Sequence, residues 1–179
     1  MEMMDTKKPE NTKDKATVFV IFGATGDLSR KKLFPSLFEL FKNNLLPKKL
    51  KIIAASRSPF ETNQFLQLFA ESTKPKDADH WQNFAKNIEY VSCDIEKNLN
   101  LEVITKKIEE FENQSNECPQ RILYMAISPF IYEYAFENLG QSKLNLGCTR
   151  HENRAKIVVE KPFGYNSDSA TILNGKLDN

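Results

Sequence analysis

Val18-Phe19-Val20-Ile21-Phe22-Gly23-Ala24-Thr25-Gly26-Asp27-Leu28 is the segment from which the architecture can be read. Five apolar residues in succession predict a strand buried on both faces, as in a parallel sheet; a strand with one wet face would alternate. Gly23 and Gly26 follow at once. Without a Cβ, glycine lets the backbone turn sharply and lie close to a ligand. A helix starting after such a turn offers its free N–H groups and its dipole to an anion such as a pyrophosphate. The pattern is G-x-x-G, short of the full G-x-G-x-x-G, and no G-K-[ST] follows, which excludes a P-loop. By itself it is compatible with a nucleotide-binding turn or with an ordinary strand-to-helix connection. Its place at the first strand–helix junction of the chain favours the former.

Outward from this segment the pattern repeats. Ile52–Ala55, Ile88–Cys93, Ile122–Ile127 and Ile157–Val159 are further short apolar runs. Between them lie stripes at helical spacing. Leu33, Leu37, Leu40 and Phe41, with Phe34, Phe38 and Leu45, make the first, with Pro35 in its first turn or at a kink. Phe65, Leu68 and Phe69 make the second, and Leu101, Ile104, Ile108 and Phe111 the third. Ser128-Pro129 pairs an N-cap residue with proline at the first helical position, and opens a stripe of Phe130, Ile131, Tyr134, Ala135 and Leu139. A last helix is expected from Ser167. The alternation predicts an α/β fold: a Rossmann-like, doubly wound parallel sheet of five to six strands with helices on both faces. Such sheets bind ligands beyond the carboxyl ends of their strands, where strand order reverses. The junctions to watch are therefore 22–29, 55–60, 92–96 and 126–130.

Size and charge set the outer limits. The 179 residues suit one domain, expected over 16–179, after a polar, disordered tail at 1–15 that lacks the apolar core of a signal peptide. With 25 basic and 24 acidic residues the net charge is +1, which argues against a nucleic-acid footprint. No 18-residue apolar run exists, so no membrane span is expected. Cys93, Cys118 and Cys148 are odd in number and show no C-x-x-C spacing. Neither a disulfide framework nor a zinc site is suggested, and a reducing, cytoplasmic home is the simplest reading. His80 and His151 lie in polar stretches and read as surface residues.

The end of the second run selects among nucleotides. An NAD site normally places an acid there for the ribose 2′-hydroxyl. This chain has Ala55-Ser56-Arg57-Ser58. A guanidinium between hydroxyls suits a 2′-phosphate, so NADP is the expected cofactor. Arg30-Lys31-Lys32 reads either as a solvated face or as a source of one ammonium toward the anionic ligand. Tyr132 either turns its hydroxyl to the cleft or tops the core. Glu160-Lys161-Pro162-Phe163-Gly164 places a lysine at the exit of a buried run, where it is expected to meet an anion. Pro162 is a candidate cis peptide, and Gly164 allows the bend that follows.

These stretches together resemble the glucose-6-phosphate dehydrogenase family. Gly23 through Pro35 is similar to its N-terminal motif, and Ala55–Ser58 to its 2′-phosphate loop. Tyr124–Tyr132 resembles its nicotinamide-side segment, and Val158–Gly164 its E-K-P-F-G element. The resemblance implies oxidation of glucose 6-phosphate at C1 to 6-phosphogluconolactone, with hydride passing to NADP, the entry to the pentose phosphate pathway. It implies that Gly23, Thr25, Gly26, Asp27 and Leu28 wrap the pyrophosphate and that Arg57 holds the 2′-phosphate. Lys32, Ala126 and Tyr132 would line the cofactor cleft, Asp94 would border the adenosine, and Lys161 would touch both substrate and cofactor. Ser128 departs from the proline usual in the family. The family's R-I-D-H-Y-L-G-K-E segment and its catalytic histidine would lie past residue 179, so no catalytic residue is assigned. The 179 residues alone are expected to be inactive and monomeric, within a full-length homo-oligomer. Two other readings remain: a standalone NADP-binding regulatory module, and a single-domain oxidoreductase, whose usual Y-x-x-x-K is missing here.

Overall fold

The computed structural model describes residues 15–73, 78–148, 155–163, 170–171 and 173–175. Residues 1–14 of the expected tail, His151, Gly164 and the helix start at Ser167 lie outside them. Five parallel strands form one sheet in the order β3-β2-β1-β4-β5. They are β1 (Thr17–Phe22), β2 (Leu50–Ser56), β3 (Ile88–Ser92), β4 (Gln120–Met125) and β5 (Lys156–Val159). Phe22 pairs with Ala55 on one side and with Met125 on the other, Ser56 with Ser92, and Met125 with Val159. All strands therefore end along one edge, and the order reverses between β1 and β4.

Helices cover both faces. On one face α1 (Phe34–Lys42), α2 (Thr62–Thr73) and α3 (Ala78–Ala85) pack Phe34, Phe38, Phe65, Phe69 and Phe84 against Ile21, Ile52 and Ala54. On the other, α4 (Leu101–Ser115) and α5 (Tyr132–Gln141) pack Ile104, Ile108, Ala135 and Leu139 against Val20, Ile53 and Leu123. The expected α/β architecture is present, with five strands.

Three local readings change. Residues 27–42 form one helical run with a π-turn at Ser29–Leu33, where the Phe34 N–H reaches back five residues to the Ser29 carbonyl. The wider turn comes just before Pro35, which has no N–H and would clash with a regular preceding turn. Leu40 and Leu45, expected on the apolar stripe, are 39% and 52% exposed. Beyond β4, Ser128 does cap, accepting from the Phe130 N–H, but it caps a 3₁₀ turn at Pro129–Ile131. That tighter turn shifts the helical register. Phe130 and Tyr134 are exposed, and the buried face is Tyr132, Ala135, Phe136 and Leu139. The third correction concerns sulfur. Cys118, before β4, and Cys148, after α5, are joined as a disulfide with Cα atoms 5.5 Å apart. The fold brings together two residues 30 apart in sequence, which no spacing motif could reveal. Cys93 is free and buried.

Candidate functional site

The four junctions converge on one cavity of about 320 Å³ at the carboxyl edge of the sheet. Its wall is built from Phe22, Gly23, Thr25 and Gly26 after β1, and Ala55 to Arg57 after β2. Cys93 to Glu96 after β3, and Ala126 to Ser128 with Ile131 after β4, complete it. Gly23 is the seam between the halves. Its φ is +81°, and a Cβ there would lie 2.2 Å from the Ala126 carbonyl oxygen. No other residue type fits this close approach. The Gly23 and Ala24 N–H groups donate to the Ala55 carbonyl at 2.8 and 3.1 Å. Buried Ser29 donates its hydroxyl to the Gly23 carbonyl at 3.0 Å, closing the turn from below.

The turn is tied to the end of β2 by side chains. Thr25 Oγ1 shares a hydrogen bond with Ser56 Oγ at 2.7 Å. The Tyr90 hydroxyl, from β3, donates to the carbonyls of Ser58 at 2.7 Å and Ser56 at 3.2 Å. Burial pushes the Tyr90 phenol above its ordinary range, so it stays a donor. Arg57, between the two held serines, is exposed at the rim. Asp94 and Glu96 lie at the end of β3, and Asp94 accepts the Glu96 N–H at 3.1 Å. Among the described wall residues the acids Asp94 and Glu96 thus sit at the end of β3, and the cation Arg57 at the end of β2, next to the glycine turn in sheet order. An anion is favoured toward the Arg57 side and opposed toward the end of β3.

Of the expected site residues, the wall brings together Gly23, Thr25, Gly26, Arg57, Asp94 and Ala126. Asp27, Leu28 and Lys32 are exposed outside it, and Asp27 pairs with Lys31 at 2.7 Å. Tyr132 does not turn to the cleft. It is fully buried; its hydroxyl donates to the Met125 carbonyl at 3.4 Å and accepts the Glu160 N–H at 3.3 Å. Lys161 is exposed beyond β5, outside the wall, and its bond to Pro162 is cis as anticipated. Cys93, Ile95, Glu96 and Ile127 fall within the expected junctions 92–96 and 126–130 without having been named singly, and Ile131 lies just beyond them. Their only signal is position after a strand end. Cys93 is pushed up to about 12 by burial, helped by the Asp94 charge. It is therefore a wall atom and no nucleophile at neutral pH. Among the described residues no group of His, Cys, Asp or Glu is placed to hold a metal. No described helix is long and apolar enough to cross a membrane.

A glycine turn at the point where a parallel sheet reverses order, opening on a cleft along the carboxyl ends of the strands, defines a Rossmann dinucleotide-binding domain. Residues 20–179 match the family model for the glucose-6-phosphate dehydrogenase NAD binding domain, and the chain belongs to that family. It is similar to glucose-6-phosphate 1-dehydrogenases of Treponema pallidum (34% identity over 89% of this chain and 32% of that protein) and Caenorhabditis elegans (30% over 89% and 30%). A solved glucose-6-phosphate dehydrogenase in complex with its substrate glucose-6-phosphate superposes with a TM-score of 0.79 at 32% identity, over 92% of this chain and 34% of that one. The Mycobacterium avium enzyme gives 0.69 at 28%, over 91% and 34%. The chain spans about a third of the length of these relatives.

Proposed function

We propose that this chain is the NADP-holding part of a glucose-6-phosphate 1-dehydrogenase. The bound nicotinamide would accept hydride from C1 of glucose 6-phosphate, yielding 6-phosphogluconolactone. What carries the cofactor choice is the end of β2: a guanidinium flanked by Ser56 and Ser58, with no acid to receive a 2′-hydroxyl. Arg57 would grip the 2′-phosphate in a forked contact, and Gly23 and Gly26 let the pyrophosphate approach the backbone. Thr25 and Tyr90 hold these two parts in register. Asp94 and Glu96 bound the uncharged adenosine side. Lys32 and Lys161, both exposed and outside the cleft wall, would reach the cofactor, and Lys161 would also meet the sugar phosphate. No group here is assigned to take the C1 hydroxyl proton.

Calorimetry with 2′,5′-ADP and 5′-AMP tests the reading. The account expects 2′,5′-ADP to bind at least about tenfold more tightly, as hydrogen bonds to charged groups imply. It expects Arg57→Ala to erase the difference. Equal affinity in the wild type would overturn it. The match of residues 20–179 to one part of longer enzymes favours this role over a standalone regulatory module. Glucose 6-phosphate is taken as the partner substrate, with no nucleic-acid or membrane partner, and homo-oligomerisation is assigned to the full-length enzyme. We place it in the cytoplasm, a compartment that would oppose the Cys118–Cys148 bond.

A further inference from the structure

Glu160, the first residue beyond β5, is gripped from both faces of the sheet. The Tyr124 hydroxyl, on the face carrying Phe19 and Phe34, donates to the Glu160 carboxylate. The Tyr132 hydroxyl, on the opposite face, accepts the Glu160 N–H at 3.3 Å while donating to the Met125 carbonyl. One residue past the cis Lys161–Pro162 bond, the Phe163 ring returns to pack on Tyr132, with centroids 6.4 Å apart. Lys161 is thus bracketed by fixed points on both sides, and the Met125–Val159 pairing sets the chain leaving β5 next to the chain leaving β4, which continues into the wall segment Ala126–Ser128. β5 itself supplies little restraint: it is four residues long, and Val158 is 37% exposed.

We infer that Tyr124 and Tyr132 are positioning residues that act through Glu160 to set Lys161 at the nicotinamide end of the cleft. The inference rests on the reading of that cleft as an NADP site. The phenol hydroxyls bond within the protein, and through Glu160 they hold the peptide from which Lys161 departs. Tyr124 supplies the side-chain anchor and Tyr132 the backbone anchor, which is why Tyr132 is spent inside the core.

The test compares a ligand that spans the cleft with one that fills only its adenosine end. NADP and 2′,5′-ADP are titrated by calorimetry into the wild-type chain, Tyr124→Phe, Lys161→Ala and the double variant. Tyr124→Phe is expected to weaken NADP by about three- to tenfold, the worth of one positioning hydrogen bond, and to leave 2′,5′-ADP within about twofold. In the double variant the Tyr124 effect is expected to vanish, because its route to the ligand is gone. Glu160→Gln, which keeps an acceptor oxygen for Tyr124, should bind NADP nearly as the wild type does, whereas Glu160→Ala should match Tyr124→Phe. Loss of both ligands in parallel, or additive effects of Tyr124→Phe and Lys161→Ala, would overturn the inference and leave Tyr124 as mere support. A wild type that binds NADP but ignores all these substitutions overturns the inference while the site reading stands. A wild type that binds neither ligand overturns both.

Discussion

Strands β1 and β2 are buried at nearly every position, whereas β4 alternates buried with half-buried residues and β5 alternates exposed with half-buried ones. The β3-β2-β1 side has α1, α2 and α3 over one face and α4 and α5 over the other. Toward β5 the first of these layers thins, leaving Phe19 and Tyr124 half-buried and Val158 more exposed. The contrast shows two ways of fixing a cleft. Where two layers of helices press on the sheet, packing sets the geometry, and the β1–β2 end of the cleft is shaped by Gly23, Ala55 and the Tyr90-held loop. Where one layer is thin, polar contacts at the strand tips do the work, as with Glu160.

The largest effect should come from disturbing the seam between the two regions. Gly23→Ala forces a Cβ against the Ala126 carbonyl and a left-handed backbone on alanine, and should destabilise by about 2–4 kcal/mol. Urea denaturation would report it, and nucleotide binding should be lost as well. Gly26→Ala, with a negative φ and a nearest contact of 3.1 Å, should cost much less. Equal effects would show that the seam is not special.

On the β4–β5 side, the Cys118–Cys148 bond closes a 30-residue separation, and the oxidised chain should exceed the reduced one in stability by about 3.6 kcal/mol. Denaturation with and without reductant checks this. Alkylation of freshly lysed cells would show which form the protein takes; a reducing compartment predicts two modifiable thiols.

On the β3 side, the raised Cys93 pKa makes stability depend on alkali. The folded thiol ionises near 12 against an ordinary 9.0, so the unfolded chain loses its proton first as pH rises. The stabilising contribution is whole below pH 9 and falls away as pH climbs toward 12; by pH 10.5 about 2 kcal/mol should be gone. In Cys93→Ala that part of the decline should be absent. The smallest effect is expected for Tyr90→Phe, which removes two donations to the 56–58 loop. It should weaken 2′,5′-ADP binding by about 1 kcal/mol and leave 5′-AMP unchanged.

The sheet and its four junctions were legible because continuous apolar runs report burial on both faces, and because ligands of such sheets collect at one edge. Less visible was α3, whose eight residues carry only Trp81 and Phe84 as large apolar groups, although Phe84 is fully buried. Phe130 misled because a 3₁₀ turn rotates the helix that follows, an offset that periodicity cannot show. Gly23, Gly26 and Arg57 were readable from residue type and position after strand ends, whereas Thr25, Asp94 and Ala126 were named by the family resemblance. Tyr132 was not, since the carbonyl and N–H that hold its hydroxyl belong to distant residues, Met125 and Glu160. The disulfide was hidden for the same reason.

The central claim is that four separated junctions form one NADP site. Nitrogen–proton correlation spectra of the labelled chain, recorded as NADP is added, test it most directly. The account predicts that amides of residues 23–26, 56–58, 93–96 and 126–128 shift together with a single affinity, while the α2–α3 surface stays still. Shifts confined to one of these segments, or centred on residues 62–86, would contradict it.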